Sequence, residues 1–357
     1  MVSPTINVDD AKLEAFMGLA LGDLGAAISG LMVYIGDQLG LYKAMSGAGP
    51  VTPAALAADT ETDERYVREW LDNQAAGGYV IYDALARTYE LPAEQAMALA
   101  DEDSPAFLPG GFTGIVAAYV DADTFVDAFR TGRGVGWHEH DSRLFVGTER
   151  LFRPGYKGFL VSEWIPALDG VDARLRTGAT AADVGCGHGA STILMAQAYP
   201  SSRFVGYDYH AASIDTARAR AAEAGVADRV RFEVASAKDY PQDGFDLITF
   251  FDCLHDMGDP VGAAVHARRA LADGGTVMLV EPFAGDRPED NHNPVGRAFY
   301  GLSTVICTMA SRAQEVGLAL GAQAGEERLR EIFEQAGFTS LRRATETPMN
   351  IVFEAKV

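Results

Sequence analysis

A-A-D-V-G-C-G-H-G-A-S-T-I-L-M-A-Q-A-Y-P-S-S-R-F-V-G-Y-D-Y, residues 181–209, decides how the rest of the chain is read. A short apolar strand runs into Asp183 and Val184, and a turn carrying Gly185, Gly187 and Gly189 follows. A helical run over 190–199 is closed by Pro200, and a second strand over 203–207 ends at Asp208. Strand, glycine turn, helix, strand and acid, in that order, is the layout of a nucleotide-binding β-α-β unit. Glycine lets the backbone approach a ligand with no Cβ in the way. Asp208 follows Gly185 by 23 residues. That is near the spacing of about 20 at which an acid on the second strand accepts hydrogen bonds from ribose hydroxyls.

Working outward, the same alternation continues toward the C-terminus. The pattern predicts a helix over 211–224, a strand over 230–234 and another over 245–250. The latter, F-D-L-I-T-F, is apolar enough for a buried parallel sheet. A helix over 263–271, a strand over 276–280 and a helix over 325–336 come next. Two last strands, over 339–344 and 350–355, form a terminal hairpin.

Upstream, residues 9–45 read as helical, with a break near Gly22 and Gly25. The run over 28–45 is apolar on most sides, so it calls for burial in a core or against another subunit. Residues 51–91 read as a winged helix. Thr52 and either Thr62 or Asp63 stand at N-cap positions, Gly77-Gly78 ends the second helix, and Y-V-I-Y and T-Y-E-L form two short strands. The second helix, which would enter a DNA groove, carries Asp63, Glu64, Glu69 and Asp72 against Arg65 and Arg68. A groove reader needs a basic face, so a dimerising role is expected instead. The boundaries expected are a helical and winged-helix domain over 1–104, a helical linker and active-site roof over 105–170, and a catalytic domain over 171–357.

The bulk properties agree. The 357 residues are 48% apolar and 22% charged, ordinary for a soluble protein. A net charge of −21 disfavours nucleic acid and anionic lipid as partners. No run of 18 uninterrupted apolar residues occurs, so a membrane span is not expected. The acidic first ten residues do not read as a signal segment. Three scattered cysteines, Cys186, Cys253 and Cys307, fit a reducing cytoplasm.

With Asp183 two residues before Gly185, the D-x-G-x-G-x-G spacing resembles motif I of class I S-adenosylmethionine (SAM) methyltransferases. The terminal hairpin is similar to the antiparallel pair that marks their seven-stranded, Rossmann-like α/β sheet. The resemblance implies that Asp183, Gly185, Gly187, Gly189 and Asp208 serve the donor's methionine and ribose. It further places Tyr209, Ser236, Ala237 and Lys238 around the adenine and adds Phe251 and Asp252 to the donor contacts. Ser236 stands where an acid is frequent.

The stretch F-F-D-C-L-H-D-M-G-D-P, residues 250–260, resembles the L-H-D-W-x-D signature of small-molecule O-methyltransferases, which carry an N-terminal winged-helix dimerisation domain. That resemblance makes His255 the general base, Asp256 a substrate-positioning acid and Glu281, in V-E-P, the acid that orients the base. Met257 replaces the signature's tryptophan. Histidine suits the task because its ordinary pKa lies near neutrality.

Expected acceptor contacts are His138, His140, Phe145 and Tyr156 from the histidine- and aromatic-rich 136–156 stretch. Asn291, His292, Arg297, Tyr300 and Thr304 would add a lid. The whole chain, from residue 28 on, is similar to the winged-helix SAM methyltransferases of actinobacteria, with W-H-E-H, F-R-P-G-Y and N-P-V-G-R as further shared motifs. The expectation is a cytoplasmic, homodimeric SAM-dependent methyltransferase of a hydroxylated secondary metabolite. One alternative is a C- or N-methyltransferase of a small acid such as a 2-oxo acid, assisted by a metal on His255, Asp256 and His292. The other is a SAM-responsive regulator.

Overall fold

A computed structural model describes residues 8–357. The expectation about a signal segment in the first ten residues therefore falls largely outside the described part. The chain divides into two compact units. One holds the residues up to Val116 together with Arg143–Leu151, and the other holds Ala117–Ser142 and Phe152–Val357.

The first unit begins with α1 (Asp10–Gln38), capped by the Asp9 carboxylate on the amides of Ala11 and Lys12. The helix runs straight through Gly22 and Gly25, where the sequence suggested a break. An added Cβ at either glycine meets nothing within 4 Å, and a single glycine costs a helix only about 1 kcal/mol. The break comes instead at Gly40, whose φ of 69° is left-handed, before α2 (Leu41–Met45). The run over 28–45 is enclosed as its apolar character requires, with Val33, Leu41, Tyr42 and Met45 in the core. The exposed apolar side chains belong to the earlier part of the helix, Leu13, Phe16, Leu19, Leu21, Leu24 and Ile28, while residues 29–37 are all buried or half-buried. By length and composition alone α1 is able to cross a membrane, which the count of uninterrupted apolar residues had not indicated.

The winged-helix elements follow as α3 (Pro53–Asp59), α4 (Glu64–Ala76), β1 (Ile81–Asp83), β2 (Thr88–Glu90) and α5 (Ala93–Leu99). Thr52 caps α3 and Asp63 caps α4. Gly36 lets α1 meet α4 closely, since a Cβ there would lie 2.5 Å from the Trp70 ring. The Trp70 indole donates to the Met32 carbonyl at 2.8 Å. Then come α6 (Pro109–Val120), α7 (Ala122–Thr131) and α8 (Arg143–Gly155), and residues 156–164 continue in π-helical geometry.

The second unit is a doubly wound α/β domain. Its elements are α9 (Val171–Thr177), β3 (Thr180–Val184), α10 (Ala190–Ala198), β4 (Arg203–Asp208), α11 (Ala211–Glu223), β5 (Val230–Val234) and β6 (Phe245–Phe251). They continue as α12 (Pro260–Ala270), β7 (Leu271–Pro282), α13 (Pro294–Val305), α14 (Cys307–Arg312), α15 (Gly325–Gln335), β8 (Ser340–Glu346) and β9 (Asn350–Lys356). Among the described residues the strands form one seven-stranded sheet in the order β5-β4-β3-β6-β7-β9-β8. The first five strands in that order run parallel, and β9 runs antiparallel to both its neighbours, β7 and β8, as the terminal hairpin predicted.

Alternation along the strands splits the core in two. Ala181, Leu247, Met278 and Val280 face one apolar cluster, with Trp164, Met195 and Ile214. Ala182, Ile248, Val277 and Leu279 face the other, with Ala264, Ile332 and Phe333. The sheet grows from β3 outward to β4 and β5 on one side, and on the other to β6 and β7. The order therefore reverses between β3 and β6, and ligands of such sheets bind beyond the C-terminal strand ends at that switch point.

Candidate active site

The loops after β3 and β6 meet at the switch point. Gly185, Gly187 and Gly189 all have positive φ, but they do different things. A Cβ on Gly185 would lie 2.8 Å from the Cys253 sulfur, and one on Gly189 would lie 2.5 Å from the Phe232 ring. Those two glycines let the loop pack on the protein itself. At Gly187 a Cβ meets nothing within 4 Å, so this is the loop position that faces open space. Asp208, at the end of β4, accepts the Gly187 amide on Oδ2 at 3.0 Å and the His210 amide on Oδ1 at 2.8 Å. Burial raises its carboxyl above the usual range. Tyr209 beside it is 47% exposed.

Several expected donor contacts have other work. Asp183 is buried at 1% exposure and saturated from within, accepting from Ser191 at 2.7 Å, Thr192 at 2.6 Å and Thr249 at 3.2 Å. It pins the first turn of α10 to the sheet. Lys238 sends its ammonium to Asp259 and Glu315, at 3.0 and 3.1 Å. Ser236 bonds Asp239 at 2.8 Å while Ala237 is half-buried against the second core cluster. Phe251 is buried beside Tyr156. Asp252, at a left-handed φ of 49°, is held by the Tyr156 hydroxyl at 2.8 Å and the Asn350 amide at 2.7 Å. Burial, with the Glu281 charge nearby, pushes its carboxyl up to about 7. Tyr156 and Asp252 are thus partners of each other, rather than one contacting acceptor and the other donor.

His255, Asp256 and Glu281 do come together, all buried. His255 and Asp256 lie in a single 3-10 turn after β6, and Glu281 lies near the end of the neighbouring β7. The His255 Nδ1 is hydrogen-bonded to Glu281 Oε2, and Glu281 Oε1 accepts the His255 amide at 3.3 Å. A carboxylate at Nδ1 fixes the proton there and leaves Nε2 as the reactive nitrogen. Burial opposes the imidazolium. The charge of Glu281 and the nearby Cys307 outweigh it and hold the imidazole well above its usual range. Asp256 Oδ2 accepts the Trp137 indole N–H at 2.9 Å. Burial pushes that carboxyl up to about 6, against the pull of His255 and Trp137.

The expected acceptor residues fare unevenly. His140 is buried, its Nδ1 3.2 Å from Asp121 Oδ2 and its Nε2 without a hydrogen-bond partner among the described residues. His138 is exposed, and Phe145 belongs to the other compact unit. Asn291 spends its amide on Gly285 and Arg287, closing its own loop. The Thr304 hydroxyl bonds the Tyr300 carbonyl one helical turn back. His292, Arg297 and Tyr300 are exposed. Among the described residues no group of three His, Cys, Asp or Glu side chains is placed to hold a metal. The His255, Asp256 and His292 set is therefore not brought together among them, with His292 exposed.

Two contacts escaped the sequence reading. Trp137 was visible as one aromatic of W-H-E-H, and Met257 marked a missing indole, but no local pattern links residues 119 apart. Cys307 gave no signal beyond lying in the expected lid.

Known protein families match two segments of the chain. The model of a methyltransferase domain matches residues 175–337, and that of an Rv2258c-like winged HTH domain matches residues 26–101. Residues 175–337 are a methyltransferase domain. The chain is 36% identical over 107 residues to the 27-O-demethylrifamycin SV methyltransferase of Amycolatopsis mediterranei, covering 29% of this chain and 39% of that one. The curated relatives it matches are covered over only 24% to 39% of their own lengths.

Among the solved structures that align over nearly the whole chain are the following two. Human N-acetylserotonin methyltransferase, solved with SAM, is 15% identical, with 99% of each chain covered and a TM-score of 0.69. An O-methyltransferase from neocarzinostatin biosynthesis, solved with S-adenosylhomocysteine (SAH) and 1,4-dihydroxy-2-naphthoic acid, is 19% identical. It covers 99% of this chain and 100% of that one, at a TM-score of 0.58. At such identities these two speak for the fold. In the methyltransferase domain of this chain, the glycine loop, Asp208 and the His255–Glu281 pair all stand at the loops of the switch point.

Proposed function

We propose that the chain is a SAM-dependent methyltransferase acting on the hydroxyl of a small secondary metabolite in the cytoplasm. The observation that carries this reading is the buried His255–Glu281 pair at the C-terminal ends of β6 and β7, beside the glycine loop. The residues present fit the donor. Gly187 faces open space, each Asp208 oxygen retains a lone pair for a ribose hydroxyl, and Tyr209 offers a half-exposed ring for a base. When bound, SAM supplies a methyl group already activated by its sulfonium. His255 Nε2 takes the acceptor's hydroxyl proton, and Glu281 stabilises the resulting imidazolium. Asp256 orients the acceptor. Burial of the trio keeps water from competing as the nucleophile. Calorimetry with SAH tests the donor half of the reading, and one site per chain is expected.

The base also sets a pH dependence. A raised His255 pKa means that the unprotonated, active fraction grows as pH rises through that value. The acid limb of the rate profile therefore lies above the ordinary histidine range near 6.5. Glu281→Gln removes the anion that favours the imidazolium, so the limb moves to lower pH while the maximal rate falls. An unmoved limb would detach Glu281 from the base.

We further propose that the exposed apolar face of α1 pairs with a second copy, making a homodimer. The arginines of α4 support an architectural rather than DNA-reading role, because Arg65 pairs with Glu69 and Arg68 with Glu64. Light scattering on the full chain is expected to give twice the monomer mass, and Leu21→Asp with Leu24→Asp to give the monomer. A monomeric wild type would refute the pairing.

A further inference from the structure

The turn that carries His255 and Asp256, with the two residues after it, lies against the end of α14 and the loop that follows. Four consecutive carbonyls there each accept from a donor in residues 311–321. The Gly321 amide donates to the His255 carbonyl at 3.1 Å, and the Leu318 amide to the Gly258 carbonyl at 2.9 Å. Between them the Gln314 side-chain amide donates to the Asp256 carbonyl at 3.0 Å, and the Ser311 hydroxyl to the Met257 carbonyl at 2.8 Å. Gln314 does more. Its Oε1 accepts the Gly258 amide at 3.1 Å, and its Nε2 also donates to the Ala310 carbonyl at 3.0 Å. Ser311 Oγ in turn accepts the Ala319 amide at 2.9 Å. A Cβ on Gly258 would lie 2.5 Å from the Gln314 Cβ, so turn and loop are in direct contact. The loop makes these contacts with a strained backbone. Val316 and Ala319 lie at left-handed φ of 72° and 54°. A β-branched residue there is an outlier, and such strain persists only where surrounding contacts over-determine it.

We infer that Gln314 is a positioning residue, whose side-chain amide clamps the His255–Asp256 turn so that the imidazole stays against Glu281. This rests on the methyltransferase reading with His255 as base. The clamp needs an amide. The Asp256 and Ala310 carbonyls call for an N–H, and the Gly258 amide calls for an acceptor. One glutamine supplies both, whereas a carboxylate has no donor and a thioether is only a weak acceptor. Glu281 stands on β7, paired inside the sheet, and does not follow the turn. Slack in the turn therefore opens the His255–Glu281 bond instead of moving both partners.

Gln314→Met tests the clamp. It keeps length and charge, and because Gln314 is exposed it opens no core. The first readout is NMR on protein with isotope-labelled histidine, the His255 signals being assigned by their absence in His255→Ala. In Gln314→Met the His255 imidazole is expected to titrate at lower pH than in the wild type, and its Nδ1 proton signal to weaken. Glu281, Asp252, Asp256 and Cys307 act on that imidazole, and none of them changes in the variant, so the shift reports displacement. The second readout is turnover of labelled SAM with hydroxylated acceptors. It is expected to fall about 10- to 100-fold, since a misplacement of about 1 Å costs about a hundredfold. SAH affinity by calorimetry should stay that of the wild type, because the groups that fit the donor lie on other loops.

An unmoved His255 titration and an unchanged Nδ1 proton signal in Gln314→Met would overturn the inference, even if the variant melted earlier. A loss of SAH affinity as large as the loss of turnover would also overturn it. A wild type that does not bind SAH would overturn the methyltransferase reading instead. The histidine titration needs neither donor nor acceptor and would still show whether Gln314 holds the turn. Should Gln314→Met fail to fold, Ser311→Ala, which unties Met257 and Ala319, is expected to shift His255 the same way, and an unmoved titration there counts against the clamp.

Discussion

His255→Ala is expected to lower turnover about 10²- to 10⁴-fold, the range for removing a general base, while SAH affinity stays near that of the wild type. The split follows from where the residue sits. His255 is buried on the 3-10 turn after β6 and bonded through Nδ1 to Glu281, whereas the groups that fit the donor lie on the loops after β3 and β4. A loss of turnover with intact donor binding assigns His255 to proton removal. Equal turnover in variant and wild type would remove it from the chemistry. A large loss of SAH affinity would make it a structural support of the loop instead.

The second large effect is expected at Asp208. Asp208→Ala should weaken SAH binding by about 10- to 100-fold, because hydrogen bonds to a charged group contribute about 1.5–3 kcal/mol each. Two consequences add up. The carboxylate no longer receives ribose hydroxyls, and the Gly187 and His210 amides lose their acceptor, which loosens the glycine loop. Asp208→Asn keeps one acceptor oxygen and should fall between wild type and alanine. Calorimetric titration reads both. Unchanged affinity in Asp208→Ala would place the donor elsewhere in the molecule.

Much of this site was legible in the sequence because its signals are local. The order of the β-α-β unit, the spacing from Gly185 to Asp208 and the apolar run of β6 all lie within short windows. The L-H-D motif was legible too, and β7 brought Glu281 to it because parallel neighbours end at the same edge of the sheet. What the sequence hid is the choice of partner across long distances. Asp183 looked like a ligand residue, but Ser191, Thr192 and Thr249 take up its oxygens. Tyr156 and Asp252 were assigned to different ligands and turned out to satisfy each other. Lys238 faces Asp259 and Glu315 because α12 and the chain after α14 pass it, which no spacing encodes. At α1 the error was one of physical cost. Gly22 and Gly25 are tolerated inside the helix, and only the left-handed turn at Gly40 requires the chain to break.

The central claim is methyl transfer to an oxygen, with His255 as base. Labelled SAM, given to wild type and His255→Ala with a panel of phenols and other hydroxylated small molecules, tests it directly when the product's methyl is located by NMR. The expected result is an oxygen-bound methyl from the wild type, SAH released in equal amount, and at least about a hundredfold less product from the variant. A methyl found on carbon or nitrogen, or equal product from both proteins, would contradict it.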